Sequence, residues 1–322
     1  MNKTYVGAWA EDDLIRAYFV SQTDPLDDDA ALLSPPPDHD LVVSTDALVE
    51  GVHFTADSPA HLVGQKAVRA NISDVLAGGG EARWATLSLC LPQRTPITWL
   101  AGFAEGLRGA LSQFDMRLVG GDTTASPGGI TISLTVLGVV PRGASVSRGG
   151  AAPGHSLAVT GCLGDASIGL KFLLDPHCEP ASQRDFWLQR HFCRPLRPLF
   201  ARRAARAGLI SAMMDLSDGL AVDLPRLCRT SRVGARVELS LIPLSQESRH
   251  FSLQPEQAWA AGEDYELLLT FPEENRVRLE ELARETQTPL TILGEITEGL
   301  KIDWYLQKLP FYARAEAWRH FS

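Results

Sequence analysis

The sequence predicts an α/β (α+β) protein of two domains. At roughly 100–200 residues per domain, a chain of 322 residues has room for two. In both halves, β-branched runs alternate with segments of helical periodicity. Between the halves lies a stretch rich in Gly, Pro and Ser, residues 141–154 (PRGASVSRGGAAPG). The expected domains are therefore 1–141 and 142–322, each long enough to bury its own core.

In the first half, residues 11–20 (EDDLIRAYFV) read as a short amphipathic helix, followed by the acidic, turn-rich run Thr23 to Asp29. Residues 41–45 (LVVST) predict a strand. Apolar positions at helical spacing predict a helix over 61–77, stopped by Gly78-Gly79-Gly80. A strand at 84–91, a helix at 97–113 and strands at 116–119 and 130–140 complete this half. In the second half, a strand is expected at 156–160 and a helix at 164–174. Helices at 195–208, 218–230 and 273–285 and strands near 235–241 and 265–271 follow. Ile72-Ser73-Asp74-Val75-Leu76 echoes Leu216-Ser217-Asp218-Gly219-Leu220, a Ser-Asp pair between apolar anchors.

Composition excludes several classes. A net charge of −9 argues against a nucleic-acid binder, which needs a basic footprint. It is compatible with anionic substrates when divalent cations stand between them and the protein. The five cysteines are odd in number and form no C-x-x-C pair, so a disulfide framework or zinc site is not expected; they read as buried small apolar residues. The N-terminus lacks the apolar segment of a signal peptide, and no apolar run reaches 18 residues. The expected location is the cytoplasm.

Carboxylates recur beside apolar elements: Asp28 and Asp29 before AALL, Asp46 after LVVST, Asp74 in NISDVL, Asp122 after RLVGG, and Asp215 and Asp218 in MMDLSDGL. Aspartate is rarely buried unless paired or bound to metal, so the set suggests one acidic, metal-dependent, phosphate-handling site. Oxygen ligands of this kind select hard cations such as Mg²⁺. For each aspartate alone, a helix cap or turn acid is an equal reading. Gly120-Gly121-Asp122 has two readings as well, a phosphate-cradling nest or a turn before the strand at 130–140; spacing alone slightly favours the turn. His53, flanked by apolar residues, reads on its own as a packed histidine. No P-loop, G-x-G-x-x-G or H-E-x-x-H motif is present.

Eight blocks stand in order along the chain: DDAALL (28–33), STDALVEGVHF (44–54), KAVRANISDVLAGG (66–79), RLVGGDTT (117–124), VSRGGAAPG (146–154), VTGCLGDASIGL (159–170), MDLSDGL (214–220) and GEDYELLLTFP (262–272). Together they resemble the thiamine-monophosphate kinases, in the superfamily of aminoimidazole ribonucleotide synthetase and selenophosphate synthetase. AWRHF (317–321) is similar to the family's aromatic-x-His-Phe ending. The resemblance implies two domains, with a mixed sheet in the N-terminal one, which pairs in a homodimer and binds ATP and magnesium, and an α/β C-terminal one, with ATP in the cleft between them. It implies metal positions at Asp29, Ser44, Thr45, Asp46, Asp74, Asp122, Asp215 and Asp218. ATP contacts fall on Gly121, Asp122, Arg148 and Ser217, and thiamine monophosphate contacts on His53, Glu263 and Trp318. Several Mg²⁺ ions and ATP as co-substrate are implied, and a monovalent cation is compatible. Two positions depart from the family pattern: Asp27 replaces the usual glycine before the Asp-Asp pair, and Gly79-Gly80-Glu81 replaces Met-Gly-Ala.

An acceptor that is itself a phosphate is largely ionised at neutral pH and needs no general base. The expected chemistry is therefore direct in-line transfer, assisted by Asp46, Asp122 and Arg148, giving thiamine diphosphate. The rivals are a superfamily synthetase that phosphorylates an amide or selenide, and a nucleotide-binding protein without catalysis. A selenide enzyme would want a reactive N-terminal cysteine, whereas the first cysteine here is Cys90.

Overall fold

The computed structural model describes residues 4–20, 26 and 28–312. The chain divides into two compact units, Met1–Val75 with Glu81–Val140, and Leu76–Gly80 with Pro141–Ser322. Trp318, Asp27 and the AWRHF ending lie outside the described residues.

The first unit contains α1 (Glu11–Tyr18), β1 (His39–Val49), α2 (Ala60–Ala77), β2 (Glu81–Leu91), α3 (Ile97–Gln113), β3 (Arg117–Ala125) and β4 (Thr131–Pro141). Its sheet runs β1-β4-β2-β3 and is mixed, as expected: β2 is parallel to β3 and antiparallel to β4. The parallel pair needs a crossover, which α3 supplies. Along β4, Ile132, Leu134 and Val136 are buried while their neighbours are half-exposed, so one sheet face forms the core. Helix α2 is buried almost all round, and its apolar positions Val63, Val68, Ile72 and Val75 are at most 1% exposed.

Two strands are longer than their apolar patterns. β1 continues from LVVST through Asp46 to Val49 because polar side chains there find partners across the sheet and on α2. β3 continues through Gly120-Gly121-Asp122 to Ala125, so the turn reading of those glycines is wrong. The chain reverses after Ser126, whose hydroxyl donates to the Gly129 carbonyl at 2.8 Å. Gly121 instead permits close strand approach. A Cβ there would stand 2.1 Å from the Leu87 carbonyl oxygen.

The second unit contains β5 (Ser156–Thr160), α4 (Asp165–Leu174), α5 (Arg184–Phe192), α6 (Pro198–Arg206), β6 (Ala212–Asp215), α7 (Leu220–Ser231), β7 (Gly234–Glu238), α8 (Gln246–His250), α9 (Pro255–Ala260), β8 (Leu267–Phe271), α10 (Arg276–Glu285), β9 (Leu290–Thr297), β10 (Ile302–Leu306) and β11 (Leu309–Pro310). The sheet order is β11-β10-β7-β9-β5-β8-β6. β5, β8 and β6 are buried at every residue, which explains their continuous apolar sequences. Helix α6 starts at Pro198, the first-turn position that suits proline, rather than at 195. The Ser-Asp echo has no structural counterpart: Asp74 lies inside α2, whereas Asp218 lies in the loop before α7.

Of the five cysteines only Cys228 is buried; the other four are partly exposed, correcting the expectation that all are core residues. Burial pushes the Cys228 thiol up to about 11 from its ordinary 9.0. Because thiolate is the reactive form, Cys228 is expected to alkylate with iodoacetamide at pH 8 about a hundredfold more slowly than an ordinary thiol until the protein unfolds. Mass-spectrometric labelling of native protein checks this. Labelling of Cys228 as fast as the partly exposed four would contradict it.

Candidate active site

In the first unit, strand alternation sorts the candidate metal residues. Leu41, Val43, Thr45 and Ala47 of β1 are exposed on one face, and Ser44 and Asp46 are half-buried on the other. The Ser44 hydroxyl donates to Asp74 Oδ2 at 2.5 Å, joining β1 to α2. One turn earlier on α2, Asn71 Oδ1 accepts from the Asp46 backbone N–H at 3.0 Å. Asn71 is itself fixed, since its Nδ2 donates to the Ala67 carbonyl at 3.0 Å. The Thr45 hydroxyl turns the other way, donating to the Leu134 carbonyl and accepting from Thr135. The structure thus brings Ser44, Asp46 and Asp74 together and separates the Thr45 side chain from them.

Asp29 and Asp122 meet elsewhere in this unit. With Asp28, Gly120, Gly121 and Thr123 they line a cavity of about 260 Å³ beside β3. Both Asp28 and Asp29 face it, so either can serve there. Asp122 is exposed and lies in register with Ser88 of β2.

His53 follows β1 in a tight turn. Its Nδ1 accepts from the Val49 N–H at 3.0 Å, which leaves Nε2 as the protonated nitrogen of the neutral ring. The His53 carbonyl accepts from Lys66 Nζ at 3.1 Å, and Lys66 is 1% exposed. The turn that presents His53 is therefore fastened by a buried lysine of α2.

In the second unit, Asp215 is buried at the end of β6, and Ser217 and Asp218 follow in the loop before α7. The segment bearing Arg148 runs beside β6: the Met213 N–H donates to the Ser147 carbonyl at 3.1 Å, and Ser231 on α7 donates to the Arg148 carbonyl at 2.7 Å. Asp218 is held by two residues. Its N–H donates to Asp223 Oδ2 at 3.0 Å, and Arg226 is ion-paired to its carboxylate and to Asp223. Burial pushes Asp223 up to about 6, against the hydrogen bond from the Asp218 amide. Glu263 lies opposite: its N–H donates to the Ser217 carbonyl at 2.7 Å, and its carboxylate accepts from the Tyr265 hydroxyl at 3.2 Å.

Asn71, Lys66, Asp223 and Arg226 were not among the expected site residues. Asn71 and Lys66 sit inside the quoted α2 block, where a polar side chain at an otherwise buried helical position was a readable signal. Asp223 and Arg226 lie three apart on α7, which is ordinary surface spacing, and only the fold ties them to Asp218.

The donor set suits a hard cation, since it consists of carboxylate and hydroxyl oxygens. Among the described residues no three His, Cys, Asp or Glu side chains form a metal cage by themselves. That is compatible with Mg²⁺, which keeps several waters and takes ligands from phosphates alongside one or two carboxylates.

Comparison with known proteins defines the class. Residues 27–140 match the family of AIR synthase related proteins, N-terminal domain, and residues 152–306 match the corresponding C-terminal domain. The hydrogenase maturation protein HypE in complex with ATP shares the fold at 16% identity and a TM-score of 0.74. Nearer relatives are specific. Thiamine-monophosphate kinase of Escherichia coli (strain K12) is 41% identical over 85% of this chain and 84% of its own, and that of Salmonella typhimurium is 35% identical over 96% and 95%. The crystal structure of thiamine-monophosphate kinase from Stenotrophomonas maltophilia K279a has a TM-score of 0.81 and 32% identity, covering 93% of this chain and 96% of that one. A structure of AaThiL complexed with AMPPCP and TMP has a TM-score of 0.78 and 31% identity, with 89% of each chain covered. The chain belongs to the thiamine-monophosphate kinase family, and it is an enzyme of the phosphotransferase class.

Proposed function

We propose that this enzyme phosphorylates thiamine monophosphate with ATP, giving thiamine diphosphate and ADP by direct in-line transfer, the final step in making thiamine diphosphate. The observation that carries this reading is the structural relative holding AMPPCP and TMP together, matched over 89% of this chain. The acidic and glycine positions implied for ATP and metal agree with it: in the first unit Asp29, Gly121 and Asp122 line one cavity, and Ser44, Asp46 and Asp74 stand together.

A terminal phosphate oxygen of the acceptor attacks the γ-phosphorus, and the bond from that phosphorus to the β,γ-bridging oxygen breaks. The acceptor is ionised, so no side chain need take a proton. The obstacle is repulsion between two anions. Magnesium, when bound, would supply charge neutralisation; Asp29, Ser44, Thr45, Asp46, Asp74 and Asp122 of the first unit and Asp215 and Asp218 of the second are the residues that would hold it. Arg148, exposed and without a competing carboxylate in its sequence neighbourhood, adds a fixed positive charge for the ATP phosphates. Gly121 lines the cavity beside Asp122 where the ATP phosphates would lie, and Ser217 offers a hydroxyl beside Asp218. His53 and Glu263 contact thiamine monophosphate, as does Trp318, which lies outside the described residues.

In this reading the N-terminal domain, 1–141, carries most of the metal site and the dimer interface, and 142–322 form the second domain. The exposed apolar face of β1, where Leu41 is 48% and Val43 59% exposed at the edge of the sheet, supports pairing of two copies. No helix among the described residues is long and apolar enough to cross a membrane. The reaction is assigned to the cytoplasm, where ATP is available. Coupled ADP release tests the function: thiamine monophosphate should stimulate it strongly. Stimulation by an amide or by selenide instead would favour the sister synthetases.

A further inference from the structure

The segment Gly262 to Glu266 is built in an unusual way. Glu263 and Tyr265 have φ of 68° and 51°, in the left-handed region, although neither is glycine. Between and after them, Asp264 and Glu266 are each 1% exposed. The side chains thus divide, with 264 and 266 buried, and 263 and 265 half-buried and joined by their own hydrogen bond.

Two arginines from the link between α5 and α6 hold the buried pair. Arg194, 2% exposed, donates through Nε to the Asp264 carbonyl at 3.2 Å and through Nη2 to the Cys162 carbonyl at 2.8 Å. The same guanidinium lies 3.4 Å from the Asp264 carboxylate and 3.4 Å from that of Asp165. Asp264 Oδ2 in turn accepts from the Gly164 N–H at 2.7 Å. Arg197 grips Glu266 with two parallel bonds, at 3.0 and 2.7 Å, and Thr160 donates to the same carboxylate at 2.7 Å. On its other side the segment is zipped to the loop before α7. Glu263 and Tyr265 donate to the carbonyls of Ser217 and Leu216 at 2.7 and 2.8 Å. Gly262 permits that approach, since a Cβ there would stand 2.6 Å from the Ser217 carbonyl oxygen.

Asp165, Arg194, Asp264 and Glu266 are buried and Arg197 is half-buried; burying four charged groups is costly unless they are paired, so such a network persists where it enforces a geometry the chain would not otherwise adopt. We propose that Arg194 and Arg197 are positioning residues for acceptor recognition: by clamping Asp264 and Glu266 they hold the strained segment so that Glu263 faces the thiamine monophosphate. This rests on the reading of Glu263 as a substrate contact. The loop carrying Asp218 has anchors of its own, Asp223 and Arg226, so the clamp acts on the acceptor more than on ATP.

The test uses the full-length variants R194K, R197K and D264N. R197K is the mildest, because Arg197 is less buried than Arg194; D264N retains an acceptor for Gly164. In each variant that keeps the wild-type circular dichroism spectrum, KM for thiamine monophosphate is expected to rise about tenfold, with kcat and KM for ATP within about twofold. Hydrogen exchange at the Glu263 and Tyr265 amides should quicken in the same variants. An active wild type with unchanged KM for thiamine monophosphate in folded R197K and D264N overturns the inference alone, as does unchanged exchange at these amides. A wild type that does not turn over thiamine monophosphate overturns the functional reading, and the substrate role of the clamp with it.

Discussion

Asp122→Asn is expected to lower kcat by on the order of a thousandfold, about 4 kcal/mol of transition-state stabilisation, while leaving the fold intact. The side chain is exposed on the edge strand β3, so an isosteric amide there disturbs no packing. What is lost is a full negative charge in the cavity shared with Asp29. Asp46→Asn should act alike: it removes the same charge, and the bond from the residue's backbone N–H to Asn71 is kept. Steady-state rates across a magnesium titration, with thermal melts of the same samples, check both. Wild-type rates in both variants at limiting magnesium would refute the metal role.

Gly121→Val is expected to unfold the first unit more readily by about 3 kcal/mol, lowering its melting midpoint by about 10 °C. The first added carbon would stand 2.1 Å from the Leu87 oxygen and 3.1 Å from its nitrogen, and both are backbone atoms of the paired strand. No side-chain rotation relieves that contact. Gly120→Ala is the control: a Cβ there meets only a Thr86 methyl at 3.8 Å, and the melt should move by about 1 kcal/mol or less. Differential scanning calorimetry of the two variants decides between them. Equal melting would show that β2 and β3 do not approach as described.

These two neighbouring glycines also mark where the sequence became hard to read. Both looked like a turn, because glycine pairs usually are. Their role is set by β2, which is nearby in space but 30 or more residues away in sequence. Where the signal was local, it sufficed. The triple glycine stopped α2, and helical spacing placed α3 at Ile97–Gln113. β6 has four residues, too few to show a period, and α5 is too polar to stand out. β1 was cut short at Thr45 because Ser, Thr and Asp look like the end of a strand; only the partners Asp74 and Leu134 show why the pairing continues.

The site was legible in a similar, partial way. Composition and spacing supported an acidic, phosphate-handling site, and the ordered family blocks supplied the particular residues. Three-dimensional grouping divides the acids of the first unit into Asp29 with Asp122, and Ser44 and Asp46 with Asp74. It also adds, in both units, residues that touch the expected acids without being ligands themselves. Asn71 is one, and the Asp223–Arg226 pair is another. Such partners carry no motif of their own, since their function is a contact with a distant segment.

The central claim is direct, magnesium-assisted transfer to thiamine monophosphate. A single-turnover reaction with γ-labelled ATP, quenched in acid and separated into protein and small molecules, tests it most directly. With magnesium, all transferred label should appear in thiamine diphosphate, none on the protein at any time, and a chelator should stop the transfer. Label trapped on the protein before product forms, or product formed at an undiminished rate with the metal chelated, would contradict it.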